Sequence, residues 1–458
     1  MQSVKLCISR VVLSVVFAMT TAPLSSFAQM GSSTNTTEKE LYLPAKVWRV
    51  PEGNDYNDTA SVYSYKRMVQ SANIAIFWAK EFGDDPSANP DSTKRFNVRE
   101  ALNECERFYN YYVNELQFLQ KGKSLSDKYK IILYVIGGKE GTAFGGGTDD
   151  KIGMLWTPAA RIQKAPYGAL AHELGHSFQY LSRADNGKGP RGAIMEMSAQ
   201  YLLWQVYPEW MTFENYHLVD FMKKTHYAFL HPTNMYHSPY VIEYWSHKHG
   251  KTFFGDLCRN TQDGEDPVMT YKRLNKLTQD QFNDEIFDAY RKFITWDMER
   301  IEKVAARYAN QHSTRLVAAK QGWYRIAASH CPQNYGYNGI PLKVPAAGTK
   351  VKLDFRGIAG VEGYNAIQKD KAGWRYGFIA YKKDGTRVYG KVFKKNNGTA
   401  KFTVPADTEH LWVVVSGAPT EHWSVLIGPQ KTEASKEEQW PYEIKLTGTS
   451  VDDRVITK

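Results

Sequence analysis

Leu170-Ala-His-Glu-Leu-Gly-His-Ser-Phe-Gln179 is the stretch from which the rest of the chain can be interpreted, because it contains His172-Glu173-x-x-His176. Positions four apart share one face of a helix, so both imidazoles reach a single metal ion while Glu173 stands beside it as a general base. The flanks support the helix. Pro166 suits a first turn, and Ala169, Leu170, Leu174 and Phe178 supply an apolar side.

A metal site with catalytic capacity takes three protein ligands and leaves a fourth position for water. One sub-pattern requires Gly at 179 and a ligand at 182; the chain has Gln179 and Ser182, which excludes it. The other places a Glu on a second helix. Ile194-Met-Glu196-Met-Ser-Ala-Gln200-Tyr-Leu-Leu-Trp204 offers one, twenty residues after His176. The intervening Ser182-Arg-Ala-Asp-Asn-Gly-Lys-Gly-Pro190 is rich in turn-forming residues, so the chain is expected to fold back and lay Glu196 against the first helix.

With these residues the sequence resembles the gluzincin-type zinc metallopeptidases, whose pattern is H-E-x-x-H followed by a Glu about that far downstream. It is also similar to secreted, avirulence-type bacterial metallopeptidases that share the wording H-E-x-G-H-S-F-Q. The resemblance covers roughly residues 60 to 300. It implies zinc as cofactor, His172, His176 and Glu196 as ligands and Glu173 as base. Gluzincins often carry an Asp one turn after the Glu ligand to orient a histidine; here Gln200 stands there, whose carbonyl can accept an imidazole N–H without adding charge. The resemblance also implies that the strand before the zinc helix, Gly153–Thr157, borders the cleft and pairs with an extended substrate. Pro239-Tyr240-Val-Ile-Glu-Tyr-Trp-Ser-His-Lys-His-Gly250 looks like the gluzincin helix that opens on Tyr and closes on Gly. That makes Tyr240 the first candidate, and His237 the second, to donate to the oxyanion of the transition state.

Residues 1–28 read as a secretory signal: Lys5 and Arg10, the apolar run Val11–Met19, then Ser26-Phe-Ala28 as a cleavage site. The run is too short to span a bilayer, so the expectation is a secreted or periplasmic protein without a transmembrane segment after signal removal. Loss of Cys7 leaves Cys105, Cys258 and Cys331, an odd number that argues against a disulfide scaffold. The formal charge of +10 falls to about +8 with Lys5 and Arg10 removed. No basic-aromatic motif accompanies it, which argues against nucleic acid as a partner.

Along the chain, Asn73–Trp78 and Tyr129–Ile136 have the composition of strands. Val98, Leu102, Cys105, Tyr109, Tyr112, Leu116 and Leu119 recur at helical steps over Phe96–Gln120. Gly141–Thr148 reads as a glycine loop; it lacks the Lys-Ser/Thr of a phosphate-cradling loop. The six histidines between 216 and 249 do not repeat the paired spacing, so surface or hydrogen-bonded roles are favoured over a second metal site. Helices are expected at Lys251–Arg259, Pro267–Leu274 and after Thr278, where Gln281 completes a capping box and Leu277 faces Phe282. From about Leu316 the period shortens to alternation, in runs such as Lys350–Phe355, Trp374–Tyr381, Val388–Phe393, Ala400–Val404, Leu411–Val415 and Ser424–Ile427.

The expected fold class is therefore α+β. A zincin-like catalytic domain, built of a small mixed sheet, the active-site helix and a helical lobe, precedes an all-β sandwich domain. The expected divisions are a signal at 1–28, a polar leader and the start of the first domain at 29–60, the catalytic domain at 61–310 and the sandwich at 311–458. The expected activity is zinc-dependent hydrolysis of peptide bonds in an extracellular protein, glycoprotein or peptidoglycan. Glycan contact through the C-terminal domain is a further expectation, which an exposed Trp374 or Trp423 would favour. The rival expectation is a catalytically inert, zinc-stapled or glycan-binding surface protein.

Overall fold

A computed structural model describes residues 38–139, 141–236, 238–424 and 437–457. The expected signal segment, His237 and most of the Ser424–Ile427 run lie outside the described residues. The fold is mixed α+β, with ten α-helices and three sheets among the described residues.

The first sheet has the order β1-β2-β3-β5-β4: β1 is Met68–Gln70, β2 Ile74–Trp78, β3 Ile131–Ile136, β4 Phe144–Thr148 and β5 Ile152–Pro158. β2, β3 and β5 run parallel and are buried on both faces, which is why they read as continuous apolar runs. β4 lies antiparallel to β5 and forms one edge. The glycine segment expected to be a loop is thus a strand, and Ile152–Pro158, expected at the cleft border, lies one strand further in. Helix α1 (Val98–Asn110) starts on Asn97, whose side chain accepts from Glu100 N–H. It passes into a π-turn at Tyr111–Glu115 rather than continuing to Gln120.

Helix α2 (Gly168–Asn186) carries the His-Glu-x-x-His motif under β4 and β5 and ends on the left-handed Gly187. The Ser177 hydroxyl donates to Met154 O at 2.9 Å, tying α2 to β5. The contact with β4 is close because β4 is nearly all glycine. A Cβ on Gly145 would sit 2.1 Å from Glu173 O, and one on Gly147 would sit 2.2 Å from the Tyr180 ring and 2.3 Å from Ile152 O. Helix α3 (Ile194–Val206) crosses α2 at Gly175, within 3.2–3.6 Å of Leu202 and Ala199 were a Cβ present. The Tyr112 hydroxyl lies 3.2 Å from Ala171 O and 3.1 Å from Leu202 O, bridging the two helices.

The helical lobe follows: α4 (Trp210–Phe213), α5 (Tyr216–Lys223), α6 (Tyr240–His249), α7 (Phe253–Asn260), α8 (Pro267–Leu274), α9 (Gln279–Phe293) and α10 (Glu299–Ala305). The Thr278–Gln281 capping box forms as expected. The remaining strands are β6 (Leu316–Ala318), β7 (Tyr324–Ile326), β8 (Tyr337–Leu342), β9 (Lys350–Gly357), β10 (Trp374–Lys382), β11 (Arg387–Tyr389), β12 (Asn397–Thr403), β13 (Thr408–Gly417), β14 (Tyr442–Thr447) and β15 (Ile456–Thr457). They make sheets of order β11-β10-β13-β8 and β12-β9-β14-β7-β6-β15, whose facing side chains share one core. The stacking of Phe355 on Tyr376, centroids 4.1 Å apart, sits between them. Ile379, Trp412 and Val414 point the other way, into the core of the helical lobe, and buried Arg375 pairs with Asp280 and Asp284 of α9. The residues from Lys39 onward accordingly hold together as one compact unit.

Cys105, Cys258 and Cys331 are buried free thiols, and burial pushes each thiol pKa up. Trp374 is buried in the sandwich, its indole donating to Trp440 O at 3.1 Å, and Trp423 is half-buried against the same core.

The β4 glycines provide a stability test. Gly147→Ala is expected to cost about 1–3 kcal/mol by overpacking, whereas Gly146→Ala, which meets nothing within 4 Å, should be neutral or slightly stabilising. Thermal melts of the two variants check this; equal melting temperatures would contradict the close strand-on-helix contact.

Candidate metal centre

α2 and α3 bring the sequence-derived ligands together. Glu196 Oε2 lies 3.2 Å from His172 Nε2 and 3.4 Å from His176 Nε2. Neither approach has hydrogen-bond geometry, and this oxygen is buried with no other partner. The ligand atoms of His172, Glu173 and His176 lie within 4.8 Å of one another. Two imidazole nitrogens and one carboxylate oxygen converging on one point fit the donor set and count that a zinc ion takes, with a fourth position left for water.

The electrostatics agree with a shared cation. Burial would raise the Glu196 carboxyl, but the two imidazoles outweigh it and hold the group well below the usual carboxylate range. Burial would lower His176, yet Glu196 and then Glu173 raise it above the ordinary imidazole value. Glu173 is pushed up by burial, with the two histidines opposing. In this pocket the two carboxylates differ: one is held as an anion, and the other is displaced toward holding a proton.

The orientation of His176 is set by a residue whose role the sequence did not reveal. Gln179 Nε2 donates to Met195 O at 2.7 Å and to Ser198 Oγ at 2.8 Å. Those two bonds fix the amide, so its Oε1 faces His176 Nδ1 at 2.9 Å and accepts the N–H there. With the Nδ1 proton held there, Nε2 is the nitrogen that would be offered to a metal ion shared with Glu196. The expectation that Gln200 would hold an imidazole is not met: Gln200 lines the cleft, but its Oε1 is buried without a hydrogen-bond partner.

The centre opens into a cleft of about 830 Å³ whose floor is α2. It is lined by Thr142–Gly145, leading into β4, and by Leu203, Trp210, Glu214, Tyr216, His217 and Tyr236 from the helical side. A second pocket of about 490 Å³ adjoins it on the far side of His176, lined by Tyr180, Arg183, Pro190, Arg191 and Cys258 among others.

Tyr240, the first candidate donor, does not line the cleft. Its ring is fully buried among Trp204, Phe221, Phe293 and Trp296, and its hydroxyl has no partner. As the first residue of α6, it is turned into the helical core by the apolar face of that helix. Tyr236, four residues earlier, does line the cleft. Its ring stacks 6.5 Å from His172, and burial together with Glu196 and Glu173 pushes its hydroxyl up to about 12. Its hydroxyl stands beside the candidate ligands, where it can donate. Of the other histidines, His217 stacks 6.3 Å from Tyr236 and lines the cleft, and His249 pairs with the Tyr271 hydroxyl at 2.7 Å. No second metal cluster occurs among the described residues.

Fold and site together define an α+β protein with a two-histidine, one-carboxylate centre in an open cleft. The chain belongs to the family described as "Family of unknown function (DUF6055)", whose model matches residues 33–453. No curated protein matches it. Among solved structures, it is similar to the Yersinia pseudotuberculosis-derived mitogen (YPM), at 10% identity over 26% of this chain and 80% of that one, with a TM-score of 0.17. It is also similar to the Glycosylation Associate Protein (Gap123) complex from Streptococcus agalactiae, at 10% identity over 30% of this chain and 39% of that one, with a TM-score of 0.16. At these TM-scores neither bears on fold or function.

If Gln179 sets the imidazole, Gln179→Ala is expected to weaken metal binding by about 10–100-fold in a competition titration against an indicator. An affinity equal to wild type would show that His176 is held by other means.

Proposed function

We propose that this protein is an exported zinc metallopeptidase of gluzincin type, with a zincin-like catalytic region formed by the mixed sheet, α2, α3 and the helical lobe. The observation that carries the reading is the convergence of His172, His176 and Glu196, with Glu173 beside them, on an open cleft bordered by an edge strand. A purely structural metal site would be closed by a fourth protein ligand and would have no use for a flanking carboxylate. Export rests on the signal-like segment at 1–28.

Zinc in such a site lowers the pKa of bound water and polarises a carbonyl. The protein's own residues do the rest. Glu173, displaced upward by burial, takes a proton from the attacking water and delivers it to the departing amine nitrogen. Tyr236 donates its O–H to the oxygen on which negative charge develops, the role first expected of Tyr240. The edge of β4 offers backbone N–H and C=O groups to an extended peptide, which gives affinity with little demand on sequence.

Two substitutions test the reading. Glu173→Gln removes the base and no ligand, so metal content and melting should hold while turnover on a peptide library falls about 10²–10⁴-fold. Wild-type protein that carries zinc yet cleaves no peptide or glycopeptide would favour an inert, zinc-stapled binder. Tyr236→Phe should lower kcat about a hundredfold with KM little altered. A larger loss in Tyr240→Phe than in Tyr236→Phe would return the donor role to Tyr240.

A further inference from the structure

Past the ligands the cleft continues onto a group of aromatic rings from α4 and α5 that peptide hydrolysis does not require. Phe213 is 69% exposed and Tyr216 55% exposed, the two most exposed large apolar side chains among the described residues apart from Ile367. Trp210 and Tyr216 line the cleft, and Phe213 lies beside Trp210 outside that lining. Trp210 is packed so tightly on the first turn of α2 that a Cβ on Gly168 would meet it at 2.4 Å, and its centroid is 5.0 Å from that of Phe213. Its indole donates to Glu214 Oε2 at 2.8 Å. The Tyr216 ring lies 4.1 Å from His217, which stacks in turn toward Tyr236 beside the ligands. From His172 the rings of Tyr236, His217 and Tyr216 therefore lead in succession to the surface, with Trp210 and Phe213 as a second pair at the cleft. Exposed aromatic groups of this kind mark a binding surface.

We propose that this shelf holds a sugar ring carried by the substrate, so that the site acts on glycosylated peptides; the peptide half of this statement rests on the metallopeptidase reading above. Three observations favour a pyranose over an apolar side chain. The shelf is made of flat rings rather than branched aliphatics, and a π face matches the C–H face of a pyranose whose hydroxyls point outward at the rim. Polar groups accompany the rings: Glu214, His217 and Lys164 line the same cleft, a set suited to hydroxyls. Finally, the wall opposite in kind, the β4 edge, already serves a peptide backbone, so what reaches α4 and α5 is a group projecting from that peptide. Within the sandwich the indole of Trp374 is occupied in the core.

Sugar-bearing peptide comes from O-glycosylated protein or from peptidoglycan, and both present an N-acetylhexosamine joined to a peptide. The test uses full-length Glu173→Gln protein in calorimetric titrations, so hydrolysis enters no readout. The probes are a Ser/Thr peptide bearing one N-acetylgalactosamine, the same peptide without sugar, and a disaccharide-peptide muropeptide. The expected result is that one sugar-bearing probe binds about tenfold or more tightly than the bare peptide. A Phe213→Ala/Tyr216→Ala variant should lose that preference without a change in melting temperature, and Tyr216→Trp should keep it. Equal affinity for all three probes would overturn the proposal, as would a preference that survives in the double variant. Sugar preference without any wild-type hydrolysis would instead sink the metallopeptidase reading and leave the shelf as assigned. Which of the two sugar-bearing probes binds more tightly identifies the source.

Discussion

The amide of Gln179 is the contact on which the centre depends. Its nitrogen is committed to Met195 O and Ser198 Oγ at the start of α3, and its oxygen therefore has one orientation, toward His176. One side chain thus fixes the tautomer of a ligand on α2 and grips the turn of α3 that carries Glu196 between Met195 and Met197. A rotated amide would place two donors against His176 and break both links at once. Such a fully satisfied polar contact specifies one arrangement of two helices in a way that apolar packing alone does not.

The second constraint is steric. The edge strand can border the centre only if it lies almost on the helix backbone, and glycine at 145 and 147 is what allows that approach. At those glycines the strand presents backbone alone, while Phe144, Trp210, Tyr216 and Tyr236 bring side chains to the cleft. The sandwich braces this arrangement from behind through Arg375 and its two aspartates on α9, and through Trp412, whose indole donates to Asn310 at 3.0 Å.

Much of this was legible in the residues. The motif and the downstream Glu located α2 and α3, the capping box and apolar period located α9, continuous apolar runs located the parallel strands buried on both faces, and alternation located most of the sandwich. β4 was not legible: glycine has poor strand propensity, and only contact with α2 and pairing with β5 make Phe144–Thr148 extended. Tyr337–Leu342 was missed for a related reason, since Gly339 and Pro341 mask a strand buried along its whole length. The convergence of His172, His176 and Glu196 followed from spacing, but the burial of Tyr240 away from them did not. Tyr236, His237 and Tyr240 fall within five positions, and which of them faces the metal depends on where α6 begins, a boundary that sequence locates poorly. Gln179 was visible only as the residue that excludes one ligand pattern; its role depends on α3, which comes into contact only in the fold.

The central claim is the coordination itself, and X-ray absorption at the zinc edge of the purified protein tests it most directly. The account predicts one zinc per chain, with two imidazole nitrogens at about 2.0–2.1 Å and carboxylate or water oxygen at about 2.0–2.2 Å. Protein free of zinc, or a zinc shell with sulfur at about 2.3 Å and no imidazole scattering, would contradict it.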